Sequence, residues 1–208
     1  MFDHLHQFLA AFRSGWTGSW PTQLLAFIWV AWLISWGIGS FFSGRTEKHV
    51  RTWESRAYRI PILIGAVLLM PGTAQVSGEQ PLWPIGNAGV YVLAAVTAAG
   101  TLFTWWARIH LGRFWSNAIT RKEGHRVIDT GPYGLVRHPI YTGLIAGMLA
   151  TGIAVGTATA LLGALLITFG LWQKARMEEG FLTTELGADA YGPYCRRVPM
   201  LIPFLPQR

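Results

Sequence analysis

Long apolar runs alternate with short polar ones along this chain, and the lengths of the runs predict its elements. Four stretches, 21–44, 60–78, 80–107 and 139–173, carry no charged residue. A helix needs about 20 residues to cross hydrocarbon, so each of the first three supports one span, the second with Pro61 near its start and Pro71 near its end. The fourth differs. From Ile140 to Trp172 it is long for one span, yet it gives two helices only about 16 residues each, about 24 Å at ~1.5 Å per residue. A tight helical hairpin resolves this, with its bend inside 151–157, where Gly152 and Gly156 relieve the backbone. Small residues on either side (Gly143, Gly147, Ala150, Gly163, Ala164) let the arms approach closely; one long tilted helix is the alternative. The pattern predicts an all-α polytopic membrane protein of about five spans. We read one membrane domain over 1–208, with N-terminal spans in 1–107 and a core in 108–208 whose hairpin covers about 140–172.

Ahead of the first run, Phe2, Leu5, Phe8, Leu9, Phe12 and Trp16 recur at helical spacing. This segment fits a helix lying in the membrane interface or one packed on the first span. It does not read as a cleaved signal, because no basic region precedes a short apolar core.

Composition agrees with the pattern. Hydrophobic residues make up 51% and charged ones 13%, against about a quarter charged in a soluble domain, and the mean hydropathy is +0.33. The 11 Trp suit rings held at headgroup level. The net charge of +7 does not form a stripe, so nucleic acid is not an expected partner; the bilayer is. Basic residues instead mark topology. Arg45, Lys48, Arg51, Arg56 and Arg59 fill the first connection; Arg108, Arg113, Arg121, Lys122, Arg126 and Arg137 fill the third; the second has none; Lys174, Arg176, Arg196, Arg197 and Arg208 follow the hairpin. Since Lys and Arg stay cytoplasmic, the N-terminus is expected outside, with the C-terminus and the two polar stretches 108–138 and 174–208 in the cytoplasm. The single Cys195 excludes an internal disulfide and reads as a reduced thiol.

Familiar sites are missing from the sequence. No H-E-x-x-H or Cys/His spacing supports a metal, and Gly37 with Gly39 falls inside an apolar run, not in a dinucleotide fingerprint. What stands out is a polar cluster at the hairpin's entry (Gly131, Pro132, Tyr133, Arg137, His138, Pro139, Tyr141) and a second at its exit (Lys174, Arg176, Glu178, Glu179). Taken singly, each has a plain reading: a Gly-Pro turn, an Arg137 snorkelling to phosphate, a solvated His138 and a belt Tyr141. Together they place ionisable groups at both ends of one hairpin, where they can meet. Glu178 and Glu179 near a helix C-terminus would oppose its dipole unless the helix continues or a cation is present.

The motifs resemble a known family. Leu111-Gly112-Arg113-Phe114-Trp115-Ser116, Lys122-Glu123-Gly124-His125, Gly131-Pro132-Tyr133 and Arg137-His138-Pro139-Ile140-Tyr141-Thr142-Gly143 resemble the isoprenylcysteine carboxyl methyltransferase family. So does the ending, with Glu178-Glu179, Tyr191, Tyr194 and Arg196-Arg197-Val198-Pro199. The resemblance covers about the last hundred residues, and the Arg-His-Pro-x-Tyr block also occurs in phospholipid N-methyltransferases.

The resemblance implies a methyltransferase using S-adenosylmethionine, with S-adenosylhomocysteine as product, no metal, and a lipophilic or lipidated acceptor. It implies a cytoplasmic cofactor pocket made by His125, Arg126, Val127, Ile128, Tyr133, His138, Pro139, Ile140, Tyr141 and Glu179, with Thr120 near a position that contributes a polar amide. The position of the family's acceptor-linked Arg holds Ala175 here, so Arg176 is the nearest catalytic candidate, with Glu178 or His138 the candidate base for an amine acceptor. Carboxyl O-methylation and N-methylation both stay open. So do two readings of other classes: a sterol-type membrane reductase using NADPH, and a lipid-binding membrane protein without catalysis.

Overall fold

The computed structural model describes residues 20–41, 46–49, 55–70, 72–112, 115, 120–122 and 127–205. In chain order these form α1 (Trp20–Ser40), β1 (Thr46–His49), α2 (Arg56–Leu68), the single turn α3 (Thr73–Val76), α4 (Asn87–Leu111), β2 (Thr120–Lys122), a 3-10 turn (Gly131–Gly134), α5 (Pro139–Val155), α6 (Ala158–Leu186) and α7 (Ala188–Arg197). The all-α expectation needs one amendment, because β1 and β2 pair antiparallel as a short ribbon between polar connections.

Among the described residues, three helices are long and apolar enough to cross a membrane: α1 over 23–40, Asn87–Leu111 and Ala158–Leu186; α5, at 17 residues, is an apolar helix of shorter length. Their outward faces carry Phe27, Leu33, Leu102, Ile109, Leu162 and Leu165, each at least half exposed. A contiguous apolar surface of this kind is stable when its solvent is lipid. The run 60–78 is not one full-length helix. It gives the 13-residue α2, capped at Leu69, and then the turn α3; Pro71, between the two in sequence, disfavours helical geometry in the residue before it.

Packing runs in pairs, α4 on α5, α2 on α6, α5 on α6 and α1 on α4. Glycine sets two of these distances. A Cβ on Gly100 would come within 2.5 Å of the Gly143 carbonyl oxygen, and one on Gly65 within 2.5 Å of the Gly163 oxygen, so backbone meets backbone as it does in lipid-embedded bundles. Indoles join the other faces: Trp29 donates to Thr151, Trp32 to Thr104 and Trp105 to Ser35, at 2.8 to 3.1 Å.

The hairpin bends at Gly156, which has a φ of +71°, and Thr157, inside the 151–157 window. Thr157 caps α6 by accepting from the Ala160 N–H, and Glu79 accepts from the Thr159 N–H at 3.0 Å and from its hydroxyl. A carboxylate at a helix N-terminus is the favoured sign. The exit arm is much longer than expected. α6 runs unbroken to Leu186, so Glu178 and Glu179 lie within the helix, two turns before its end, and the dipole does not oppose them there.

Candidate active site

The 3-10 turn at Gly131–Gly134 and the proline at the first position of α5 bring the entry cluster back under the end of α6. Pro139 starts α5 without needing a hydrogen-bond donor, and His138, the residue before it, is thereby kept out of helical geometry and turned toward α6. The C-terminal strap fixes it there. The Arg137 N–H donates to the Pro199 oxygen at 2.8 Å, His138 N–H to the Met200 oxygen at 3.1 Å, and the Thr142 hydroxyl to the Leu201 oxygen at 2.7 Å.

On this frame the two polar clusters meet. Arg137 forks onto Glu179, with Nε 2.6 Å from Oε1 and Nη2 3.1 Å from Oε2. Its Nη1 donates to the carbonyls of Cys195 and Val198. His138 Nε2 lies 3.2 Å from Glu179 Oε1. The Tyr141 hydroxyl donates to Glu178 Oε2 at 2.7 Å, and its ring stacks on His138 at 5.4 Å and 7°. Arg137 and His138 are buried, and Glu179 is 18% exposed. Burial alone would pull the Arg137 pKa down, but the hydrogen bond and charge of Glu179 hold it above its ordinary value.

Tyr133 and Pro132 are buried in the same turn, and Tyr194 donates to the Tyr133 carbonyl at 2.8 Å. Burial first, and then the Glu178 charge, push the Tyr133 phenol far up, so it stays a protonated donor. His110, at the end of α4, stacks on Tyr133 at 6.3 Å and bonds Thr130 at 2.9 Å, which ties the turn to the second long helix.

Of the expected site residues, Tyr133, His138, Pro139, Ile140, Tyr141, Glu178 and Glu179 lie on these converging elements. Val127 packs on the cluster of Tyr191, Tyr194 and Val198, with Ile128 half-buried next to it in sequence. Thr120 lies in β2, its backbone opposite His49. His125 and Arg126 lie outside the described residues. Arg176 is not brought in: it is exposed, two residues and so about 200° around α6 from Lys174. The cation on the site's face is Lys174. It is one turn before Glu178, and its Nζ sits 5.2 Å from the Tyr141 ring and 5.6 Å from the Tyr58 ring of α2.

Three contributors were given no site role from the sequence: Arg137, Lys174 and Tyr58. Arg137 and Lys174 stood out in the two polar clusters, but the surroundings of Arg137 decide whether it snorkels or is buried. Tyr58 belongs to α2, where no motif marks it. Among the described residues no group of His, Cys, Asp and Glu is arranged to hold a metal ion.

Comparison with known proteins adds an independent line. The model of the isoprenylcysteine carboxyl methyltransferase (ICMT) family matches residues 92–184. The protein-S-isoprenylcysteine O-methyltransferase of Schizosaccharomyces pombe is 24% identical over 219 residues, covering 86% of this chain and 88% of that one. Protein-S-isoprenylcysteine O-methyltransferase B of Arabidopsis thaliana is 26% identical over 160 residues, 73% of this chain and 76% of its own. The cobalt-zinc-cadmium resistance protein CzcN of Cupriavidus metallidurans is 32% identical over 98 residues, 46% and 44% of the two chains. The match takes in most of α4, all of α5 and nearly all of α6, the helices that carry the converging clusters, so the similarity to the isoprenylcysteine carboxyl methyltransferase family falls on residues 92–184.

Proposed function

We propose that this chain is a multi-pass membrane methyltransferase that uses S-adenosylmethionine to methylate the carboxylate of a lipophilic, isoprenylcysteine-like acceptor. The observation that carries the reading is the meeting of Arg137, His138 and Tyr141 with Glu178 and Glu179 at the end of the hairpin. Relatives named as O-methyltransferases supply the reaction class.

The donor set fits the cofactor's chemistry. Glu179 has both oxygens occupied by Arg137, whereas Glu178 is held by Tyr141 through one oxygen. We therefore assign Glu178 to the cofactor's ammonium and Glu179 to holding Arg137 and His138 in place. The stacked His138 and Tyr141 rings offer an electron-rich face to a sulfonium. When bound, S-adenosylmethionine supplies an electrophilic methyl group. A carboxylate acceptor is ionised at neutral pH and needs no base. Lys174, between Tyr58 and Tyr141, is placed to orient that carboxylate, in the role the sequence suggested for Arg176. Transfer of that methyl to the carboxylate would give a neutral ester and leave a neutral thioether. Because charge is cancelled in this step, the protein's work is alignment and exclusion of water. With α2 and α5 counted beside the three long helices, we infer five crossings and a cytoplasmic site.

The test is incubation of membranes containing the protein with methyl-labelled S-adenosylmethionine and an S-farnesylated N-acetylcysteine. Label should enter the acceptor and be released as methanol by alkali. Label that survives alkali would indicate N-methylation, and no protein-dependent incorporation into lipid, protein or the added acceptor would defeat the reading.

A further inference from the structure

Away from the hairpin, one buried charge has no use in methyl transfer. Arg108 opens the last turn of α4, on an otherwise apolar helix, and is only 6% exposed. Its guanidinium carbon lies 3.3 Å from the Trp115 ring centroid and 4.8 Å from that of Trp36, two indoles set at 87° to one another. Gly39 of α1 closes in from another side, where a Cβ would come within 2.9 Å of Arg108 Nε.

Aromatic faces attract a cation, but they neither neutralise it nor accept its in-plane hydrogen bonds. Among the described residues, Nη1 is buried with no hydrogen-bond partner. Among the described residues, Glu79 is engaged by Thr159, Asp129 by Arg197, Glu178 by Tyr141 and Glu179 by Arg137. A desolvated cation of this kind is costly without a counter-charge.

We propose that Arg108, framed by Trp36 and Trp115, anchors a phosphate group. The planar fork of a guanidinium suits phosphate. The level of the site favours a glycerophospholipid as its source, since Arg108 ends a span whose neighbours Trp106 and Ile109 are exposed on the lipid-facing surface. Headgroup phosphates lie where such spans end. The site is independent of the transfer reaction.

Thermal unfolding of the whole protein in a phosphate-free maltoside detergent tests this. Phosphatidylglycerol should raise the melting temperature, and monoolein, a glycerolipid without phosphate, should not. Arg108→Gln should abolish the phosphatidylglycerol shift, while Arg56→Gln, which removes an exposed charge, should keep it. Arg108→Lys retains the cation without the fork and should lose at least half of the shift, which keeps the test open if the Gln variant does not fold. Inorganic phosphate that reproduces the shift, and does so only with Arg108 present, would support the site and assign it to a free anion. Equal shifts from phosphatidylglycerol and monoolein in the parent, or an undiminished phosphatidylglycerol shift in both Arg108 variants, would overturn the proposal.

Discussion

Arg137 shows how much one side chain can be asked to hold. It serves a carboxylate and two carbonyls at once from a position that water scarcely reaches. Lysine cannot copy a fork, so Arg137→Lys should lower stability by about 3 kcal/mol, in the range seen when one partner of a buried pair is removed; denaturation in detergent would measure it. The adjacent acids should separate by readout. Glu179→Ala should destabilise the fold by stranding Arg137, whereas Glu178→Ala should weaken S-adenosylhomocysteine binding about tenfold or more with little change in melting, a factor equivalent to losing about 1.4 kcal/mol. Calorimetry on both variants checks this, and unchanged affinity in Glu178→Ala would remove that residue from the cofactor's end. Lys174→Met should raise the acceptor KM while leaving S-adenosylhomocysteine affinity unchanged. Much of this cluster was legible as residue types at set spacings. The choice of Lys174 over Arg176 was not, because it depends on helical phase, and the phase is known only once α6 is seen to continue past Glu179.

Among the elements, the long runs declared themselves by length, and the bend of the hairpin by its glycines. The short α2 did not. Its run is apolar enough for a span, but the helix is only 13 residues long and packs on α6. Backbone contact between α4 and α5 is equally specific. Replacing Gly143 by Val would drive a side chain into the Gly100 carbonyl, where even a Cβ comes within 2.4 Å. Overpacking at such a contact costs about 1 to 3 kcal/mol, so Gly143→Val should melt lower and lose activity although it touches no ligand.

For the molecule as a whole, the apolar periphery and the polar convergence divide the chain's labour between membrane and chemistry. Periodicity and charge could read the first, whereas the second depends on contacts between residues about forty positions apart, such as Arg137 and Glu179, which no local pattern encodes. On the side of the hairpin bend, Glu79 links the loop before α4 to the start of α6. Its hydrogen bonds to Thr159 hold its pKa below the ordinary carboxylate value. A depressed carboxylate stabilises the fold above its unfolded pKa, about 4.3, and that stabilisation is lost as pH falls through the lower folded value. Glu79→Gln should therefore melt below the parent at neutral pH, with the gap closing as pH falls below the ordinary carboxylate range; melting curves from neutral to acid pH decide it.

The strap formed by Val198, Pro199, Met200 and Leu201 gives the far end of the sequence authority over chemistry written elsewhere. Four carbonyls there receive Arg137, His138 and Thr142. A protease nick after Arg197, or a bulky fusion that peels this segment away, would silence the enzyme with every motif residue intact.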